Sequence, residues 1–302
     1  MPAPYVTTYT ARDPYLTNAE YLAAPTGVDV NQLLPGQSTQ SNAAALTQTI
    51  ARASNWADVI CAQVLACTQE TETGELRADR FSRWLIHPKQ WPVVDVLNVT
   101  VTPISGGLAI VLNLTGVWLE ESRIVIPTTG TLGMSSVGPL QLGAAGRGQS
   151  AYGQWTYLAG WPNTTITAGV SAAAVTIPVA SVLGIYGTQS AQFVTTGTVL
   201  TIYDGGLTEQ VQVTAVAGNT LTISSGLANA HAAGVSITAF PPAIKQAVTS
   251  LTSALIKTRG SEALVMQSLR SGPSKTDGMG EAGGIEDVEI AIDLLDIFRR
   301  VR

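Results

Sequence analysis

Apolar positions along this chain follow two rhythms. The helical one is plainest after Pro241-Pro242, where Ile244, Ala247, Val248, Leu251, Ala254 and Leu255 recur at three- and four-residue steps. They form one stripe, with Ile244, Val248, Leu251 and Leu255 as the expected core anchors, while Lys245, Gln246, Thr249, Thr252 and Lys257 face elsewhere. Proline at the first helical position sacrifices no backbone hydrogen bond, so the start is sharp. The same spacing predicts a short helix over 15–24 capped by Asp13 or Thr17, another over 30–34, and a long one over 42–67. The stripe of the long helix is Leu46, Ile50, Ala53, Ala57, Ile60 and Val64; Trp56 lies off it, as a second core contact or an interface anchor. A last helix over 285–300 carries Val288, Ala291, Ile292, Leu295 and Phe298 on one face.

The second rhythm has period two. After Trp91-Pro92, apolar residues alternate with polar ones at Val94, Val96 or Leu97, Val99 and Val101, and further strands are predicted over 108–114, 118–119 and 123–126. Residues 71–80 read as polar, and the glycine-rich 128–153 as a long loop. Between 164 and 239 five or six short alternating runs are separated by turns at Asp204-Gly205-Gly206 and Ala217-Gly218-Asn219, which predicts a small sandwich or barrel. The Pro241 helix needs a surface to pack on, and the segment ending at 154–162 supplies it. The expected fold class is therefore α+β: a helical core with a small antiparallel sheet in residues 1–163 and 240–302, and an inserted all-β sandwich or barrel domain at 164–239.

At 302 residues the chain exceeds a usual single-domain length of about 150. Only 12% of its residues are charged against 45% hydrophobic, a weakly self-repelling surface suited to an assembly subunit. A net charge of −5 argues against free nucleic-acid binding. The Met1-Pro2-Ala3-Pro4 start lacks signal-peptide features and no run approaches the roughly 20 apolar residues of a membrane span, so synthesis in the cytoplasm without a membrane partner is expected.

Candidate chemistry is sparse. Gly278-Met-Gly-Glu-Ala-Gly283 matches a dinucleotide-binding spacing, but a polar stretch precedes it where such a site requires a buried strand. Ser271 to Thr276 echoes a phosphate loop without its glycines. His87 and His231, the only histidines, are too few for a histidine-based triad or zinc site, and Cys61 and Cys67 read as buried thiols. Asp204 and Glu209 belong to a hairpin, and Asp293 and Asp296 to the solvated face of a helix. No catalytic residue, cofactor site or metal site is expected, and no enzymatic activity.

Trp91-Pro-Val-Val-Asp-Val opens the first sheet, Trp155-Thr-Tyr-Leu-Ala-Gly-Trp closes it, Pro241-Pro242-Ala-Ile-Lys-Gln-Ala-Val starts a helix, and the chain nears its end on Leu294-Leu-Asp-Ile-Phe-Arg-Arg300. This order resembles the head-to-tail adaptor, or head completion, proteins of long-tailed bacteriophages. The resemblance covers about residues 14–163 and 240–302. It implies a virion protein of the neck, assembled in the host cytoplasm into a homo-oligomeric ring, commonly of twelve copies. Such a ring sits between the portal protein and a tail-side neck protein (a terminator or stopper), with double-stranded DNA passing through its bore. The linker over 271–284 leaves the last helix tethered rather than fixed. Together with the resemblance this implies a portal contact through Val288, Ile292, Leu295, Phe298, Arg299 and Arg300 by a helix largely unsupported by the chain's own core, the alternative being that it folds back onto the Pro241 helix. The alternative expectation is a tail or tail-tip protein whose β domain binds the host surface.

Overall fold

The computed structural model describes residues 6–7, 13–31, 33, 38–78, 83–103, 109–112, 114–120, 123–127, 150–188, 193, 196–258 and 285–299. Most of the predicted 128–153 loop, the 271–284 linker with its glycine motif, and Arg300 lie outside these described residues.

The helical layer consists of α1 (Asn18–Ala23), α2 (Thr39–Cys61), α3 (Pro242–Lys257) and α4 (Ile285–Asp296). Thr17 starts α1 with a capping box, its hydroxyl accepting from Glu20 N while the Glu20 carboxylate accepts from Thr17 N at 2.6 Å. Helix α2 is shorter than predicted. Ala62 adopts a left-handed conformation at φ 53°, so Val64 and Cys67 fall in the chain that leads to the sheet. Over 30–34 the described residues are not helical.

Helix α3 packs against both α2 and α4, and Ile244, Val248, Leu251 and Leu255 are buried with Tyr15, Tyr21, Leu46, Ile50 and Ala57. Its polar side is buried as well, which corrects the simple two-faced picture: Lys245, Thr249, Ser250, Thr252 and Ser253 are all enclosed. Such burial is tolerable because the polar groups have partners. Thr249 and Thr252 donate to the carbonyls of Lys245 and Val248, at 2.9 and 2.7 Å, and the Ser253 hydroxyl lies 3.0 Å from that of Tyr21.

The first sheet is antiparallel, in the order β5 (Ile110–Val111), β4 (Val93–Pro103), β8 (Ser150–Ala159), β2 (Thr68–Ala78), β3 (Trp84–Ile86), β7 (Arg123–Ile126), β6 (Trp118–Glu120), with β1 (Val6–Thr7) also paired to β2. Strand β2 occupies the stretch read as merely polar. It is concealed from a hydrophobicity pattern because its inward positions include Thr68, Glu70 and Glu72. Partners brought by folding satisfy them: the Tyr157 hydroxyl and Lys89 N donate to Glu72, and the Thr68 hydroxyl donates to Glu70. In β4, register shifts at Val93/Asp95 and Val96/Asn98 turn Val93, Val96, Val99 and Val101 inward and Leu97 outward, a break in alternation that only bulges allow. Residues 150–153, expected in the loop, belong to β8.

The second sheet is also antiparallel, in the order β10 (Thr176–Pro178), β13 (Thr220–Ile223), β12 (Glu209–Ala217), β11 (Val199–Tyr203), β14 (Ser236–Thr238), β9 (Asn163–Thr165). Thr167 N donates to Pro178 O and Ala180 N to Thr165 O, both at 3.0 Å, so the two edge strands are drawn together and the sheet curls towards closure. Ile166, Ile177, Leu200, Ile202, Val213, Leu221 and Ile237 fill its own apolar interior.

Candidate functional site

Helix α4 packs on the chain's own core, which overturns the expectation of an unsupported helix awaiting a partner. Val288, Ala291 and Leu295 are buried with the residues of α2 and α3, and Ile292 and Phe298 are half-buried against them. The Phe298 ring meets Trp161 edge-on, with centroids 5.4 Å apart. Gln63 Nε2 donates to Phe298 O at 2.9 Å, and Lys257 Nζ to Asp287 at 2.7 Å. The physical reason is that an apolar face tethered beside a matching groove buries itself without the translational and rotational entropy cost of association. Residues left outside on α4 are Glu286, Glu289, Ile290 (48% exposed), Asp293 and Asp296, followed just past its end by Ile297 (77%) and Arg299.

At the foot of the curled sheet the chain enters and leaves side by side. Pro162 O accepts from Ala239 N at 2.9 Å and from the Thr238 hydroxyl at 2.8 Å. Around this crossing the curled sheet is fastened to both neighbours. Asn163 Nδ2 donates to Asp13 O and Pro14 O, at 3.2 and 3.3 Å, and the Tyr186 hydroxyl donates to Asp95 Oδ2 at 2.9 Å. Burial, reinforced by the Asp95 hydrogen bond, pushes the Tyr186 phenol well above its ordinary value. Lys245 Nζ lies 2.6 Å from Glu20 Oε1, 2.9 Å from Ser236 Oγ and 4.6 Å from the centroid of the Tyr203 ring. Burial pulls the Lys245 ammonium below its ordinary value, against the opposing pull of Glu20. Between α1, α2 and this crossing lies a cavity of about 330 Å³, lined in part by Asp13, Asn18, Thr47, Asn163 and Ser236. Burial raises the Asp13 carboxyl.

Within the curled sheet the structure brings His231 to the Asp204 and Glu209 of the predicted hairpin. The His231 side chain is fully enclosed, with Nδ1 2.9 Å from Asp204 Oδ2 and Nε2 2.8 Å from Glu209 Oε1. Glu209 also accepts from Ala228 N and Asn229 N, at 2.8 and 3.0 Å. Burial pushes the Glu209 carboxyl up, but these two backbone donors and His231 together outweigh it and hold it below the ordinary range. Enclosed on all sides, the ring serves as a clip that pins the 224–235 loop to the β11–β12 hairpin. The sequence signal was the hairpin's Asp and Glu together with the segment's lone histidine, but their meeting depends on the curl of the sheet. Asp293 and Asp296 both lie on the exposed face of α4. Cys61 and Cys67 are buried free thiols pushed up to about 12 by burial, so neither is a thiolate near neutral pH. Among the described residues, no group of three His, Cys, Asp or Glu side chains is placed to hold a metal ion, and no helix is long and apolar enough to cross a membrane.

No protein-family model and no curated protein matches the chain. A chain of a solved structure described as the neck of an empty GTA particle computed with C6 symmetry is similar to it, with 14% identity over 95% of this chain and 94% of that one, at a TM-score of 0.33.

Proposed function

We propose that this protein is a structural, non-enzymatic subunit of a phage neck, forming a ring that joins the portal to the tail and surrounds the DNA channel. One observation carries the reading: the two segments of the adaptor-like order that the sequence separates, ending at Pro162 and resuming at Ala239, are hydrogen-bonded to each other. Across that bond, strand β8 with Trp161-Pro162 runs directly into Phe240-Pro241-Pro242 and α3. The adaptor core is then residues 1–163 with 240–302, and 164–239 is an insertion with its own interior. A low charge density suits a subunit covered by copies of itself, and a bore that lets duplex slide should not be strongly basic. Since α4 commits Val288 and Leu295 to the subunit's own core, the portal-side contact falls to what that helix leaves outside, Ile290, Ile297 and Arg299.

The test is the position of the chain in intact particles. Nanogold bound to a peptide tag in the Gly218 turn of the full-length protein should appear between head and tail, and the purified protein should give closed rings by native mass spectrometry. Label at the distal tail would replace this reading with that of a tail-tip protein, and a strictly monomeric subunit in both free and particle-derived forms would remove the ring.

A further inference from the structure

The Lys245 ammonium sits where three parts of the molecule meet. It rises from the first turns of α3, pairs with Glu20 of α1, donates to Ser236 of β14 and lies over the Tyr203 ring of β11. Lys245 and Glu20 side chains are only 7% and 8% exposed, so this is a buried charge pair. The second carboxylate oxygen of Glu20 is also in use, accepting from Thr17 N in the capping box. A buried pair of this kind adds little net stability over an apolar replacement, whereas a buried charge deprived of its partner is strongly penalised. Its effect is therefore selective. A tilt of the curled sheet that withdraws Ser236 and Tyr203 strips the ammonium of two of its three contacts and leaves it only Glu20. The axis for such a tilt is already present, because the chain passes into and out of the curled sheet at neighbouring points, Pro162 and Ala239.

We propose that Lys245, held by Glu20, is a latch that fixes the orientation of the curled sheet on the helical layer, with the Pro162–Ala239 crossing as its hinge. The inference stands apart from the neck reading, since it concerns the subunit alone. Both native cysteines are buried, so cysteines introduced at exposed Gln48 on α2 and Ala217 in the curled sheet take spin labels selectively. In the full-length wild-type background the label-to-label distance should give one narrow peak by pulsed dipolar spectroscopy. Lys245→Met with Glu20→Gln removes both charges and keeps an acceptor for Thr17 N; it should broaden or split that peak while the unfolding midpoint changes little. Ser236→Ala with Tyr203→Leu leaves the charge pair and removes only the sheet's hold on it, and should broaden the peak too. Lys245→Arg, which keeps the charge, should retain a narrow peak. A narrow, unshifted peak in either folded double variant overturns the latch, and if the first fails to fold the second decides.

Discussion

Gly160 stands at φ +100° where β8 gives way to the crossing, and a Cβ there would sit 2.5 Å from the Ala66 carbonyl oxygen. Backbone strain and steric conflict act together, so Gly160→Ala should lower stability on the order of 2–4 kcal/mol, read from the urea midpoint. The His231 clip makes a pH-dependent prediction. Glu209 titrates below its ordinary value of about 4.5, so its ionised form is favoured by the fold. That contribution is fully present above the ordinary value and disappears as pH falls through the depressed one. Glu209→Gln should therefore cost about 1.5–3 kcal/mol at neutral pH, as for hydrogen bonds to charged groups. The gap in thermal midpoint between variant and wild type should begin to narrow as the pH falls below about 4.5 and close only after the pH has passed the depressed value. A gap that stays constant down to strongly acidic pH would mean the carboxylate's charge is not what holds the loop.

At the scale of elements, α3 and α4 stand or fall together. Leu251 is buried in the interior shared by α2, α3 and α4, and Leu251→Ala should cost about 2–5 kcal/mol, measured by chemical unfolding. Removing residues 285–302 uncovers the faces of α2 and α3 that Val288, Ala291 and Leu295 now bury. The truncated subunit should therefore lose a large part of its thermal stability. Near-normal stability after that deletion would return α4 to the role of a free docking arm. The amphipathic spacing of this helix was legible in the sequence, but an apolar face has the same pattern whether its partner is another chain or the same one. Only the tertiary structure distinguishes the two.

For the molecule as a whole, the crossing predicts that the curled sheet is removable. Joining Asn163 to Ala239 through a short Gly/Ser linker in place of 164–238 should preserve the helical circular-dichroism signal and a single cooperative transition, because Pro162 O and Ala239 N already lie 2.9 Å apart. Loss of either would show that the first sheet and helices depend on the second sheet to fold. By itself the sequence determined the helix stripes of α3 and α4, that of α2 up to Ile60, the hard start of α3 at Pro241-Pro242, and the alternating strands of the curled sheet, since each depends on which positions are apolar along a local segment. Tertiary structure decided the rest. Strand β2 exists as a central strand because Tyr157, Lys89 and Thr68 satisfy carboxylates that no hydrophobic pattern would place inside. The bulges of β4 decided which valines face inward, and Glu20, far off in the sequence, made it possible to bury Lys245. For β2 and Lys245 the physical reason is the same: the free energy of an inward-facing polar group is set by partners that only the folded chain brings within reach, so its own position in the sequence does not announce them.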